Sequence, residues 1–402
     1  MKPASKSRRK ASPKRSKTAV SDDTLRDVTR HILPTVERLL WGRAAARCEF
    51  RGCNQALWKS PVTQEAVNLA QKAHIYSFSS DGPRGNKGIS KRKLNDFANL
   101  LLVCHGCHQK IDKQKDGGRY SVDLLRQWKE DHERRVEIVT GVDPRKKSHV
   151  VLYGANVGDH SSPLQFAEAA QALFPTLHPA DDRPLTLGMI NNSYNDRNPK
   201  FWEVESENLS VKFEQQVRER IRLGAIAHLS VFAIAPQPLL ILFGTLMNDI
   251  MSAEVFQRHR EPQTWNWLKK APRLEFLVEA PASFNGVPAL VLALSAEVTD
   301  DRITGVLGPD ANIWRVTVAR PNMDLIKSRK QLSAFRTLMC ALLDRIKAAH
   351  GQTTTLHVFP ATGVSSAIEL GRVRMPKAHM PWQLYDQVNA RGGFIPALLL
   401  PS

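Results

Sequence analysis

The stretch "LLVCHGCHQKID", Leu101 to Asp112, carries two cysteines and two histidines in a chain of 402 residues that holds five cysteines in all. Cys104 and Cys107 stand as C-x2-C, and Cys48 and Cys53 stand as C-x4-C in "RCEFRGCN". Thiolates are soft donors, and each short loop can turn two sulfurs to one side, so the two pairs suit one tetrahedral Zn2+. Four sulfurs leave no position open to a substrate, and the zinc is expected to be structural. Cys340 stands alone in a helical pattern. So few cysteines make no disulfide framework, which suits a reducing cytoplasm.

Histidine is the second reagent. It titrates near neutrality and can serve as a general base. In chain order "QKAHIYSFSSDGPRGN" supplies His74, "DFANLLLVC" supplies Asn99, and His108 follows the last cysteine where a helix should begin. His105 reads as solvated or as a neighbour of the zinc loop. Asp112 reads as a residue that orients a neighbour or caps the helix.

The elements that must position these groups follow from periodicity and breakers. "DTLRDVTRHILPTVERLLWGRAAARC" predicts a helix interrupted at Pro34. In "YSVDLLRQWKEDHERRVEIVTG", Leu124, Leu125, Trp128, His132 and Val136 recur at helical spacing, with Ser121 as N-cap and Gly141 as stop. "GVDPRKKSH" (141–149) reads as a linker between an N-terminal domain, 23–140, and a C-terminal one, 150–402. Beyond it, strand-like runs recur at Leu185–Ile190, Ala227–Ala235, Leu274–Glu279, Ala289–Leu294, Trp314–Val318 and Thr355–Phe359. Helical segments such as Asn208–Arg222 and Met323–His350 separate them, the pattern of a doubly wound α/β domain.

The chain carries 57 Lys and Arg against 39 Asp and Glu, a net charge of +18. Residues 1–20 alone hold eight basic and no acidic side chains, so 1–22 is expected to be a disordered basic tail. A polyanionic partner is implied, nucleic acid first and an anionic membrane second. The longest apolar run, "LSVFAIAPQPLLILFGTLM" (229–247), contains two prolines and a glutamine and reads as a buried strand, turn and helix. No membrane span is expected.

"LSVFAIAPQPLLILFG" (229–244) aligns with "LHVFPATGVSSAIELG" (356–371) at an offset of 127: Leu229/Leu356, Val231/Val358, Phe232/Phe359 and Gly244/Gly371 coincide. One reading is coincidence among common residues. The other is two related halves, about 150–285 and 286–402, whose strand ends share a crevice where open parallel sheets bind ligands. Candidates for that crevice are Asn156 in "YGANVG", Tyr194 and Arg197 in "NNSYNDRN", Pro236 and Gln237, Trp265 in "HREPQTWNWLKK", and Pro360 and Ala361. Tyr194 offers a ring to stack on a base and Arg197 a fork for phosphate. Core packing is the alternative for Trp265 and Trp267, and for Phe359.

The pattern "AHIYSFSSDGPRGN…DFANLLLVCHGCHQKID" resembles the HNH endonucleases over roughly residues 45–115. That resemblance implies an α+β domain of the ββα-metal type braced by structural zinc. It implies His74 as general base, Asn99 as the residue that orients the base or its loop, and His108 as ligand to catalytic Mg2+. Where many members carry an acid or a second histidine before the base, this chain has Ala73. Residues 150–402 resemble a SAVED domain, an α/β sensor built of two CARF-like halves, on "VFAIAPQPLLILFG", "VFQRHREPQTWNWLKK" and "HVFPATGVSSAIELGRVRMPKAHMPWQLYD". Together they resemble the HNH–SAVED effector nucleases of the CBASS anti-phage systems. The resemblance implies activation by a cyclic dinucleotide, including cGAMP-type species, homo-oligomerisation to a tetramer, and non-specific cleavage of double-stranded DNA. The competing function is a non-catalytic, zinc-stabilised DNA-binding regulator that responds to a nucleotide.

Overall fold

In a computed structural model the described residues are 31–86, 88–113, 119–158, 164–189, 192–388 and 393–401. The expected basic tail and the part of the expected first helix before His31 lie outside them, as do Ile190 and Asn191. The chain forms two compact units that divide between Thr140 and Gly141.

The first unit contains α1 (Pro34–Arg43), β1 (Ala70–His74), α2 (Lys91–Leu94), a 3-10 turn (Phe97–Asn99), β2 (Leu100–Cys104), α3 (His105–Asp112) and α4 (Val122–Thr140). Pro34 opens α1, where a missing N–H costs nothing and the ring's fixed φ is already helical. β1 and β2 are antiparallel, with His74 opposite Leu100 and Ala70 opposite Cys104. All five residues of β2 are buried. Ala73, Ile75, Leu101, Val103, Ile111 and Leu125 join the strands, α3 and α4 in one core. Ser121 Oγ accepts from Leu124 N at 3.2 Å at the start of α4. That helix turns Leu125, Lys129, His132 and Glu133 inward.

The second unit holds two mainly parallel sheets. The first is built from β3 (Lys147–Gly154), α5 (Phe166–Leu173), β4 (His178–Pro179), β5 (Leu185–Thr186), α6 (Pro199–Phe213), α7 (Glu219–Arg222), β6 (Leu229–Ile234), α8 (Gln237–Met247) and β7 (Ala253–Val255). A π-helical turn, Glu214–Arg218, joins α6 to α7. Its strand order is β4-β3-β6-β7, with β5 beside β3. The second comprises β8 (Leu277–Glu279), β9 (Val287–Ala293), α9 (Asp300–Leu307), β10 (Ala311–Thr317), α10 (Arg329–His350), β11 (Leu356–Ala361), α11 (Val364–Val373), β12 (Trp382–Val388) and β13 (Gly393–Leu400). Its order is β13-β12-β11-β9-β10-β8, with antiparallel strands only at the two edges.

The aligned repeats are the same piece of each sheet. β6 and β11 each span six residues, and α8 and α11 follow them at the shared offset of 127. The central strands are buried on both faces, as parallel strands covered by helices require. Val231 and Ala233 of one sheet and Leu290, Leu292 and Val358 of the other contribute to a single core with α8 and α11.

Some boundaries move. β8 begins at Leu277 and pairs with β10, so the second sheet starts before residue 286. β3 begins at Lys147, inside the stretch read as linker. α10 begins at Arg329 rather than Met323, because Ser328 and Gln331 form a capping box there.

Candidate functional site

The four cysteines that the spacing paired come together. Cys48 and Cys53 lie on the loop after α1, closed by Cys48 N to Gln55 O at 2.9 Å and Cys53 N to Phe50 O at 3.0 Å. Cys104 ends β2 and Cys107 lies in the first turn of α3. Their sulfurs all lie within 4.8 Å of one another. Cys53 Sγ and Cys104 Sγ are 3.9 Å apart. A tetrahedron with Zn–S bonds of about 2.3 Å has edges of about 3.8 Å, so the donor set fits zinc. Burial, foremost, pushes the Cys48 thiol far up and that of Cys107 up to about 12. For Cys104 burial also acts upward, but hydrogen bonds from the Cys107 backbone and the neighbouring thiols outweigh it. Four sulfurs this close, three of them buried, can all ionise only around a cation.

His74 is the last residue of β1 and His108 lies on α3; both side chains are half-buried. His74 Nε2 is 3.0 Å from Asn95 Oδ1. Asn99 is buried and turned to the backbone: Nδ2 donates to Leu94 O at 2.8 Å and to Tyr76 O at 3.1 Å, and Oδ1 accepts from Tyr76 N at 2.8 Å. It therefore pins the segment that leaves β1 to the turn that enters β2. Ala73 is fully buried and offers no ligand. α3 starts at His105, ahead of the expected point, which puts Cys107 and His108 on the same helix. His105 is exposed, with Nε2 3.0 Å from Gln109 Nε2.

Two residues beside this array escaped the sequence reading. Arg84, from "SSDGPRGN", is buried and donates to the carbonyls of His74 and Ile75 and to Asp112. Asn95 meets His74. A lone arginine in a glycine- and proline-rich loop reads as solvated, and nothing in its spacing marks it as an internal strut.

In the second unit the eight crevice candidates separate. The loop after β3 meets the 192–198 loop: Asn156 Nδ2 donates to Asn192 O at 3.2 Å and Gly158 N to Asp196 Oδ2 at 2.8 Å. Tyr194 packs half-buried beside that junction, and Arg197 is exposed on the same loop. Asp386 of β12 stands close enough to Asp196 to feel its charge. Burial first and then Asp196 push the Asp386 carboxyl up to about 7. Pro236 caps α8, and the Gln237 Oε1 atom accepts from Thr362 N at 3.1 Å across the two halves. Gln257 makes a parallel link, its Oε1 accepting from Ser365 N at 3.0 Å and Ser365 Oγ at 2.8 Å.

Three candidates do not line a crevice. Trp265 is 4% exposed and packs edge-on against Phe232 in the core. Pro360 and Ala361 are buried within β11, opposite Leu292 and Ala293, rather than beyond its end. The Ala361 carbonyl is taken by Leu294 N and Ser295 N. Pro360 and Ala361 are candidates from their position just past a repeated strand motif, and Trp265 from its place among basic residues. The strand runs two residues further than the repeat suggested, and the tryptophan fills the outer face of the first sheet.

Charge divides unevenly between the units. Residues 1–140 hold 29 Lys and Arg against 15 Asp and Glu, whereas 141–402 hold 28 against 24. The excess of 14 on the first unit is most of the total of 18.

Residues 209–400 match the model of the SAVED family, described as the SMODS-associated and fused to various effectors sensor domain. The second unit thus carries a SAVED sensor domain of α/β type. No curated protein matches the chain. Among solved structures the chain is similar to the Acinetobacter baumannii Cap4 SAVED/CARF-domain containing receptor with the cyclic trinucleotide 2'3'3'-cAAA. Identity is 15% and the TM-score 0.40, over 70% of this chain and 56% of that one. It is also similar to the Moraxella osloensis Cap4 SAVED/CARF-domain containing receptor, at 12% identity and a TM-score of 0.34, over 78% and 71% of the two chains. The chain spans little more than half the length of the Acinetobacter receptor.

Proposed function

We propose that the chain is a cyclic-dinucleotide-activated, Mg2+-dependent endonuclease of the HNH–SAVED type, cutting double-stranded DNA with little sequence preference as a cytoplasmic CBASS effector. The observation that carries it is the division of labour between the units. A SAVED sensor occupies residues 209–400, while the first unit carries most of the chain's positive charge and two half-buried histidines, His74 and His108. Mere DNA binding has no use for that pair.

In this reading the basic surface draws in the phosphate backbone without reading bases. Asn95 Oδ1 can only accept, so the His74 ring donates to it from Nε2. His74 is then the residue that takes the proton of the attacking water. Asn99 holds the backbone from which His74 projects. His108 is the ligand for Mg2+, which when bound stabilises charge on the scissile phosphate and leaving oxygen. The four cysteines hold structural Zn2+. At the sensor, Asn156, Tyr194, Arg197, Pro236 and Gln237 form the binding surface for the cyclic dinucleotide.

The test is plasmid DNA incubated with the protein, Mg2+ and a panel of cyclic di- and trinucleotides. One of them is expected to switch on cleavage, and His74→Ala should reduce the rate at least 100-fold with zinc content and ligand binding unchanged. A folded His74→Ala protein that cuts at the wild-type rate overturns the assignment.

A further inference from the structure

The segment after β1 folds back tightly on itself. A Cβ at Gly82 would lie 2.4 Å from Ser77 Cβ, so only glycine allows the turn. Ser77 Oγ then accepts from Arg84 N at 3.3 Å. This returns the Arg84 side chain, only 2% exposed, beneath the strand that carries His74.

Its guanidinium meets four acceptors on two elements. Nε donates to Ile75 O at 2.6 Å and Nη2 to His74 O at 3.1 Å, both at the end of β1. Nη1 donates to Ile111 O at 2.9 Å and Nη2 to Asp112 Oδ1 at 3.1 Å, both in the last turn of α3. The second Asp112 oxygen lies 3.7 Å from His108 Nε2. One path of contacts therefore runs from His74 through Arg84 and Asp112 to His108.

Stability alone does not account for this arrangement. A carboxylate on the last residue of a helix opposes the helix dipole. A buried guanidinium carries a desolvation cost that an apolar side chain of similar volume avoids. The planar fork, unlike a lysine ammonium, can satisfy acceptors on a strand and a helix at once and so fixes their separation. Resting on the nuclease reading above, we propose that Arg84 is a positioning residue: it sets the strand end bearing His74 against the helix bearing His108 and holds the Asp112 carboxylate against the His108 imidazole.

The test uses the full-length, zinc-loaded protein with Arg84→Lys, Asp112→Asn and the double variant. Mn2+ binding is measured by calorimetry without DNA, and single-turnover cleavage is followed against Mg2+ concentration in the presence of the panel of cyclic di- and trinucleotides. Arg84→Lys is expected to keep its zinc, bind Mn2+ about tenfold more weakly and cut at least tenfold more slowly at saturating metal. Because both residues act through one path, the double variant should lose no more than the weaker single one. Wild-type Mn2+ affinity and rate in a zinc-loaded Arg84→Lys protein overturn the proposal. If Arg84→Lys fails to retain zinc, the more exposed Asp112→Asn decides: unchanged Mn2+ affinity there overturns it equally. A wild type that binds Mn2+ but cuts no DNA removes the nuclease reading and leaves Arg84 to be judged on metal affinity. A wild type that binds no Mn2+ overturns both.

Discussion

Gly244 and Gly371 face each other where α8 crosses α11, and each lacks a side chain because the partner helix's backbone occupies its place. A Cβ on Gly244 would sit 2.0 Å from Ile368 O, and one on Gly371 would sit 2.0 Å from Ile241 O. Ile368 precedes Gly371 by three residues, as Ile241 precedes Gly244, so the contact is reciprocal. A two-fold rotation relating the halves has this signature. It brings the two strand-turn-helix repeats back to back in one core.

Gly244→Ala should therefore destabilise the second unit by about 3 kcal/mol, since the helices must separate along their whole shared face. Gly305 provides the contrast. It lies exposed in α9 with nothing near its missing Cβ, and Gly305→Ala should be neutral or stabilising by up to about 1 kcal/mol. Denaturant unfolding of both variants checks this. A Gly244→Ala protein as stable as the wild type contradicts so close a crossing.

That crossing also explains why part of the architecture could be read in the sequence. Glycines 127 residues apart, in matching helices after matching strands, record a close backbone approach that no other residue permits. The cysteine pairs were legible for a similar reason, since metal ligation fixes residue type and local spacing together. Contacts that depend on tertiary closure left no such mark. Arg84 reaches Asp112 across 28 residues, and Asp386 reaches Asp196 across 190, with no periodicity to announce either. Trp265 misled because an aromatic among basic residues looks the same in sequence whether its ring faces a ligand or Phe232.

The thiol cluster gives the second prediction. Cys53→Ser should remove the bound zinc and unfold the first unit, because structural zinc contributes on the order of 10 kcal/mol, comparable to the whole stability of a small domain. Metal analysis by mass spectrometry should find one zinc per wild-type chain and none in the variant. Hydrogen exchange should show lost protection in β1, β2 and α3, with the second unit's sheets unaffected. A wild type free of zinc contradicts the assignment.

The acid pair gives the third. Burial, and then Asp196, raise the Asp386 carboxyl from its ordinary 3.8 to about 7 in the folded chain. A proton held more tightly in the folded than in the unfolded chain stabilises the fold below the ordinary value, and that stabilisation is lost as pH rises through about 7. A shift of this size is worth about 4 kcal/mol for a fully desolvated group. Asp386 keeps some contact with solvent, so about 2 kcal/mol is expected. The second unit should thus unfold more readily at pH 8 than at pH 5, and Asp386→Asn should flatten that slope and stabilise the protein at pH 8. Denaturation curves at the two pH values measure it, and an unchanged slope in the variant contradicts it.

The last prediction concerns how, in the proposed function, the sensor would govern the nuclease. A ligand shifts activity only by binding one arrangement more tightly than another. On the proposed function, one catalytic array per chain would cut one strand, so double-strand cleavage would favour two or more arrays held together. At their strand ends the two halves of the second unit are joined by Gln237 to Thr362 and Gln257 to Ser365. A cyclic dinucleotide bound there can alter how the halves meet and so the outer surface they present to another copy. Ligand is expected to raise the mass of the protein in solution to that of an oligomer, a tetramer by the family resemblance, in parallel with cleavage. Light scattering beside a cleavage assay at the same ligand concentrations tests this. Cleavage switched on while the mass stays at the ligand-free value would mean that activation is an internal rearrangement of each chain.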